Sequence, residues 1–69
     1  MTNQIPNSPT KLHDYLVSAE VDPTRAADTR RMLRNERFAL AAALRSGDAT
    51  KIAAARDEAL RVAQMWEAL

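Results

Sequence analysis

Apolar residues recur at helical spacing near the start of the chain. They follow the i, i+3, i+4, i+7 pattern of one narrow helical face, at Leu12, Tyr15, Leu16 and Ala19. Ser8 and Pro9 suit the start of this helix, because serine is a favoured N-cap and proline is tolerated at the first helical position. Pro23 should end it, since the residue before a proline avoids the α conformation. The pattern predicts a short first helix that begins at Pro9.

Two longer helices are predicted on either side of Gly47, the only glycine. Asp22 and Pro23 repeat the combination of an N-cap and a first-position proline, which predicts a second helix over residues 23–46. Gly47 suits the left-handed position after a helix. Asp48 can cap a third helix that continues to the C-terminus. Such a short link places the two helices side by side and antiparallel, as a helical hairpin.

The two long helices carry matching apolar seams. On the third helix apolar residues alternate at steps of three and four, at Ile52, Ala55, Ala59, Val62, Trp66 and Leu69. Two arginines, Arg30 and Arg37, interrupt the seam of the second helix. Its apolar members are Ala26, Leu33, Leu40 and Leu44. Folding back at the glycine brings Leu33 to Val62 and Leu40 to Ala55. The predicted fold class is all-α, an antiparallel helical hairpin with a short N-terminal helix.

The size of the chain favours a homodimer. At 69 residues a single core is marginal without a metal, disulfides or a partner chain. The sequence contains no cysteine, which excludes disulfides and thiolate zinc sites. Several large apolar side chains fall outside the seams, and they suggest a second apolar surface: Met32, Phe38, Leu60 and Met65. We expect a single helical domain over residues 9–69, preceded by a polar, flexible arm over residues 1–8.

The sequence offers little for catalysis. His13 is the only histidine, and its neighbour Asp14 points to a different side of a helix, so the two do not form a catalytic dyad. No phosphate-binding glycine loop, nucleophile elbow or HExxH pattern is present. We therefore expect a protein that is not an enzyme and that uses no cofactor and no metal. Because no signal peptide or membrane-spanning run is visible, we also expect a cytoplasmic protein without a membrane partner.

The arginine-rich segment TRAADTRRMLRNERF, residues 24–38, is the first candidate functional region. On a helical wheel Arg31, Arg34 and Arg45 share one side of the second helix, with Phe38 between them. One interpretation is that the first helix covers this phenylalanine, through Leu12, Tyr15 and Leu16. A second is a protein-binding surface with an aromatic anchor among arginines, a composition enriched at interfaces. A third is contact with nucleic acid through the arginines.

Trp66 near the C-terminus is a further candidate. Its place on the seam favours core packing, but an open end of the hairpin would let Trp66 and Arg30 form a cation–π pair at the edge of a partner site. The candidate partner-binding residues are therefore Arg30, Arg31, Arg34, Phe38, Arg45 and Trp66.

Nucleic acid is the weaker of the two binding interpretations. The net charge of +1 is too balanced for a protein that relies mainly on phosphate contacts. The third helix would be the recognition helix of a helix-turn-helix protein, but its acids Asp57, Glu58 and Glu67 would repel phosphate. It also lacks the polar cluster that reads base edges. A small helical DNA-binding transcriptional regulator remains the alternative function.

In length and helical build the chain resembles phage-encoded quorum-sensing anti-activators. The resemblance covers the whole chain, and the segments behind it are RRMLRNERF and AQMWEAL. It implies an all-α protein that binds a LuxR-family transcription activator of the host and is also associated with blocking a type IV pilus assembly ATPase. No binding residue is carried over from that family. The expected function is inhibition of a host protein, in the host cytoplasm, by occupation of its surface.

Overall fold

The computed structural model describes residues 5–24 and 26–68 of the chain. This part contains three α-helices, and no β-strand is found within it. Helix α1 spans Pro9–Glu20, α2 spans Ala27–Ser46 and α3 spans Ala49–Ala68. The predicted all-α class is therefore confirmed for the described residues.

Helix α1 begins where the sequence predicts. Pro9 is the first helical residue, and Ser8 before it has the extended backbone of an N-cap. The Ser8 side chain makes no capping hydrogen bond. Its backbone carbonyl accepts the N–H of Leu12 at 2.7 Å instead. The helix ends at Glu20. It therefore lies between Pro9 at its first position and Pro23 downstream, as the sequence predicts.

Helix α2 begins four residues later than predicted, at Ala27 and not at Pro23. The reason is the side chain of Asp22, which accepts hydrogen bonds from the backbone N–H of Thr24 at 2.9 Å and from its hydroxyl at 2.7 Å. Aspartate commonly closes a local turn in this way. Asp22 and Pro23 therefore belong to a turn between the helices. Ala26, predicted as a seam residue, is an exposed residue at the N-cap position.

The link between α2 and α3 follows the prediction closely. Gly47 has φ of 69°, in the left-handed region, and its N–H donates to the carbonyl of Leu44 at 3.3 Å. The Asp48 carboxylate caps α3 by accepting the backbone N–H groups of Thr50 and Lys51, at 2.9 and 3.2 Å. The only glycine of the chain thus ends one helix, and the aspartate after it begins the next.

The core lies where the three helices meet. Helix α1 packs on both α2 and α3, and α2 packs on α3. The large side chains buried there are Leu12, Leu16, Leu33, Leu40, Val62 and Trp66. Ala43, Ala59 and Ala63 are buried as well, and small side chains at a contact let helices approach closely. Five of the predicted seam residues are buried: Leu33, Leu40, Ala59, Val62 and Trp66. Three more are only partly buried, namely Leu44, Ile52 and Ala55. Ala43 and Ala63 are buried although the seams did not include them, and Leu69 lies outside the described residues.

Helix α1 is attached to the other helices by polar contacts in addition to its leucines. The hydroxyl of Tyr15 donates a hydrogen bond to the carboxylate of Glu67 near the end of α3. Ile5, in the segment before α1, packs against the core. The predicted flexible arm includes residues 1–4, which lie outside the described part of the chain.

The buried position of Leu40 gives a test of this packing. Leu40→Asp places a carboxylate where the wild-type side chain is fully buried. Because truncation of a buried leucine alone costs about 2–5 kcal/mol, and an unpaired buried carboxylate adds to that cost, we expect loss of the cooperative melt followed by circular dichroism.

The matched control is Ala42→Asp, at an exposed position of the same helix. It introduces the same carboxylate, and we expect it to lower the unfolding free energy by about 1 kcal/mol or less, the difference in helix propensity. Near wild-type stability of Leu40→Asp would contradict the observed helix pairing.

Candidate functional site

Phe38 is a large aromatic residue that the fold leaves open to solvent, with 57% of its surface exposed. At 100° per residue it lies about 140° around α2 from Leu33. Helix α1 packs on the side of α2 that bears Leu33 and Leu40, since its own leucines are buried in the same cluster. The interpretation in which α1 covers Phe38 through Leu12, Tyr15 and Leu16 is therefore wrong. Leu12 and Leu16 are buried in the core, and Tyr15 packs against it.

An ion pair beside Phe38 holds its neighbour in place. The guanidinium of Arg37 donates two hydrogen bonds to the Glu20 carboxylate, from Nε at 3.1 Å and from Nη2 at 3.0 Å. The two side chains are only 24% and 14% exposed. The same guanidinium lies over the Phe38 ring, 4.5 Å from its centroid. Bidentate arginine–carboxylate pairs are strong and directional, and a cation over an aromatic face is favourable.

Three exposed arginines lie on the same side of α2 as Phe38. Arg31, Arg34, Phe38 and Arg45 fall within about 60° of the helix circumference, and all four are exposed. We call these four residues the arginine–phenylalanine stripe. It extends over much of the length of α2 and faces away from the core.

The arginines of the stripe are only loosely held by acids of the chain. Arg31 lies 3.8 Å from Asp28, and Arg34 lies 3.8 Å from Glu20, distances too long for a hydrogen bond. Arg45 has no ion-pair partner among the residues that the structure describes. Exposed ion pairs of this kind contribute little, so these guanidinium groups are available to another molecule.

The remaining two candidates, Trp66 and Arg30, are not exposed members of this stripe. Trp66 is 4% exposed and belongs to the core. Arg30 is half-buried, and its Nε atom is enclosed without a hydrogen-bond partner. Arg30 lies one turn before Arg34 and about 40° around α2 from it, at the margin of the stripe.

A second apolar surface lies between α2 and α3, on another side of α2. It is a groove of about 100 Å³, lined by Thr29, Met32, Leu33, Val62, Met65 and Trp66. Met32 and Met65 are exposed, at 41% and 54%. Met32 is about 120° around α2 from Phe38. The sequence had marked both methionines as lying outside the seam, and the structure brings them together.

Charged residues of both signs lie one turn further along this groove. Arg61 donates hydrogen bonds to both carboxylate oxygens of Glu58 at 2.7 Å. The charges of both residues influence the pKa of Glu36 on α2. Burial raises the pKa of Glu36, the negative charge of Glu58 raises it further, and Arg61 opposes the rise. A desolvated carboxylate beside a like charge favours the protonated form.

The described residues show little that resembles a catalytic or metal centre. The Nδ1 atom of His13 and the Oδ1 atom of Asp14 are 3.9 Å apart, beyond hydrogen-bonding distance. Over residues 5–24 and 26–68 no group of three metal-ligating side chains is close enough to hold an ion. In the same part of the chain, none of the helices combines the length and the apolar character that crossing a bilayer requires.

The Glu20–Arg37 pair is the part of this site that sequence analysis missed. Arg37 was identified only as an interruption of the apolar seam. Its partner is 17 residues away on another helix, so no periodicity within one helix points to it. The available signal was an arginine at a buried helical position, which requires a compensating acid from elsewhere.

In comparisons with known proteins, no family model matches the sequence, and no match was found to a curated protein or to a solved structure.

A double-mutant cycle tests the Glu20–Arg37 contact. Because this pair is bidentate and mostly buried, we expect Glu20→Gln and Arg37→Gln to show a coupling energy of about 1–2 kcal/mol, within the range of about 0.5–3 kcal/mol found for residues in direct contact. Urea denaturation of the four proteins measures it.

The control cycle is Asp28→Asn with Arg31→Gln, an exposed pair at 3.8 Å on the same helix. Its expected coupling is about 0–0.5 kcal/mol. Equal coupling in the two cycles would mean that the Glu20–Arg37 pair does not hold α1 and α2 together.

Proposed function

We propose that this chain is a non-enzymatic protein-interaction module that inhibits another protein by occupying its surface, and that the arginine–phenylalanine stripe makes the contact. The observation that carries the proposal is the exposure of Phe38, at 57%, among exposed arginines. Phenylalanine and arginine are both enriched at protein interfaces, and arginine is among the residues that most often dominate the binding energy there.

The contacts beside Phe38 support this proposal. Because Glu20 fixes Arg37 and Arg37 lies over the ring, the phenylalanine is restrained before a partner arrives. A side chain that is already ordered loses less conformational freedom on binding. The ring face that Arg37 leaves open would then insert into a recess of the partner.

The resemblance of the sequence to phage quorum-sensing anti-activators supplies the candidate targets. We propose a LuxR-family transcription activator as the target, and a type IV pilus assembly ATPase as a second one, both in the host cytoplasm. Inhibition would be steric. The module would either cover the DNA-binding surface of the activator or hold the activator in an incompetent state.

We further propose that α2 and α3 act as a helical hairpin that pairs with a second copy through the Met32–Met65 groove. Among its described residues the chain buries only six large apolar side chains, a small core for a free-standing domain, and it leaves these two methionines exposed. Glu36, Glu58 and Arg61, whose charges interact, lie about one helical turn from the residues that line the groove. A two-fold axis places the same patch on both subunits, so an arginine of one copy can face the carboxylates of the other.

The competing function is a small DNA-binding regulator, for which the exposed arginines of α2 would contact phosphate. A gel-shift titration across salt concentrations separates the two, because binding through several phosphate contacts weakens by orders of magnitude as salt rises. We expect no shift of duplex DNA by this chain at physiological salt.

The central test is Phe38→Ala. Because the ring is largely exposed, its truncation should lower the unfolding free energy by only about 1 kcal/mol, less than half of what a fully buried side chain contributes. Binding to a purified LuxR-family activator, measured by calorimetry, should weaken by about 10-fold or more. The double variant Arg31→Ala/Arg34→Ala should weaken it as well.

Met65→Ala is the control for that experiment, since it removes an equally exposed apolar side chain from another surface. We expect it to leave the affinity for the activator unchanged. Full binding by Phe38→Ala, or by the arginine double variant, would overturn the assignment of the stripe.

The dimer is tested by sedimentation equilibrium at micromolar concentration. We expect twice the chain mass of 7.7 kDa. Met65→Glu should shift the protein to the monomer, because it places a charge in the apolar groove. Gln64→Glu adds the same charge at the neighbouring exposed position and should remain dimeric. A well-folded wild-type monomer at that concentration would contradict the proposal.

A further inference from the structure

The arrangement of charges along the stripe indicates the chemistry of its partner. Arg31 lies two turns before Phe38 and Arg45 two turns after it, each about 10 Å away along the helix axis. Arg34 lies one turn before the ring. Ala42, one turn after it, is exposed and small, so another backbone can approach α2 closely at this point. The stripe therefore presents positive charge, an apolar centre and positive charge in a straight line.

We propose that the stripe binds an acidic amphipathic α-helix of the target protein. This inference rests on the proposed function and names its partner. Carboxylates on one side of the partner helix would face Arg31 and Arg34, and carboxylates about four turns further along would face Arg45. Apolar side chains between them would enclose Phe38. Residues at i, i+3 and i+4 share a helix face, so a single helix can supply all three parts of this pattern.

A helix suits the shape of the stripe as well as its charge. The stripe runs along one exposed helix, and helices pack side by side by interdigitating their rows of side chains. On this face Phe38 offers a large exposed side chain, and Ala42 one turn later leaves a gap into which a side chain of the partner helix can fit. Guanidinium groups bind carboxylates with matched, bidentate geometry, so the exposed arginines favour acidic side chains over neutral polar ones.

A protein partner fits these observations better than nucleic acid does. The net charge of the chain is only +1, which is too balanced for a protein that relies mainly on phosphate contacts. Duplex phosphates would also leave Phe38 without an apolar contact. Single strands can stack bases on an aromatic ring, but Arg37 already occupies one face of this ring.

The test uses synthetic helical peptides as probes. The first has about 21 residues, or about 30 Å of helix, with a central pair of leucines and a glutamate two turns before and two turns after it. Two further peptides carry glutamine or lysine in place of the glutamates. A single-stranded oligonucleotide of similar length tests the nucleic-acid alternative. Binding is followed by fluorescence anisotropy of the labelled probe at several salt concentrations.

We expect the glutamate peptide to bind and the lysine peptide not to bind. The glutamine peptide should bind at least about 10-fold more weakly than the glutamate peptide, because a tenfold change in affinity corresponds to the loss of one or two good contacts. Phe38→Ala and Arg45→Ala should each weaken binding of the glutamate peptide. Lys51→Ala, an exposed cation on α3, is the matched control and should not. Circular dichroism melts verify that each variant is folded.

The outcomes separate this inference from the proposed function. If no peptide binds, if binding is independent of the glutamates, or if the oligonucleotide competes better than the peptide, the acidic-helix inference is overturned. In those cases a loss of activator binding by Phe38→Ala would still support the proposed function. If the glutamate peptide binds as expected but Phe38→Ala still binds the activator fully, the inference that the stripe binds an acidic helix is supported and the proposed function is overturned.

Discussion

The ion pair between Glu20 and Arg37 joins the last residue of α1 to the middle of α2. It adds to the leucine packing that places α1 over the Leu33–Leu40 side of α2 and leaves Phe38 exposed. Because the same guanidinium lies over Phe38, a contact that holds α1 also touches the exposed ring. One pair of side chains therefore contributes to stability and borders the proposed binding surface.

The sequence predicts best those features that neighbouring residues decide. Gly47 and Asp48 act through a single left-handed residue and two backbone N–H groups, so local rules were sufficient to place them. Asp22 obeys equally local rules, but an aspartate before a proline can cap a helix or close a turn. The hydrogen bonds to Thr24 realise the second option. The start of α2 was misplaced because two local solutions compete at that residue.

The candidate site was less predictable, because it depends on how α1 lies across α2. Helical periodicity places Phe38 outside the Leu33–Leu40 seam, but it does not show whether another element covers the ring. That depends on where α1 is attached, through Tyr15 to Glu67 and through Glu20 to Arg37. Both contacts join residues that are distant in sequence. Trp66 is the opposite case. Its position on the seam, which is visible in the sequence, was enough to indicate the core residue that the structure shows.

The alanine-rich helices explain how so small a chain can present two separate surfaces. Alanine forms helix readily and fills little space, so α2 and α3 pack closely around a core of few large side chains. Phe38 and Met32 are then left exposed on different sides of α2, and Met65 of α3 lies beside Met32 in the groove. In the proposed dimer the second copy covers the methionines and adds the stability that the core lacks. Phe38 stays free on each subunit, so association of the chain with itself need not compete with binding of a target.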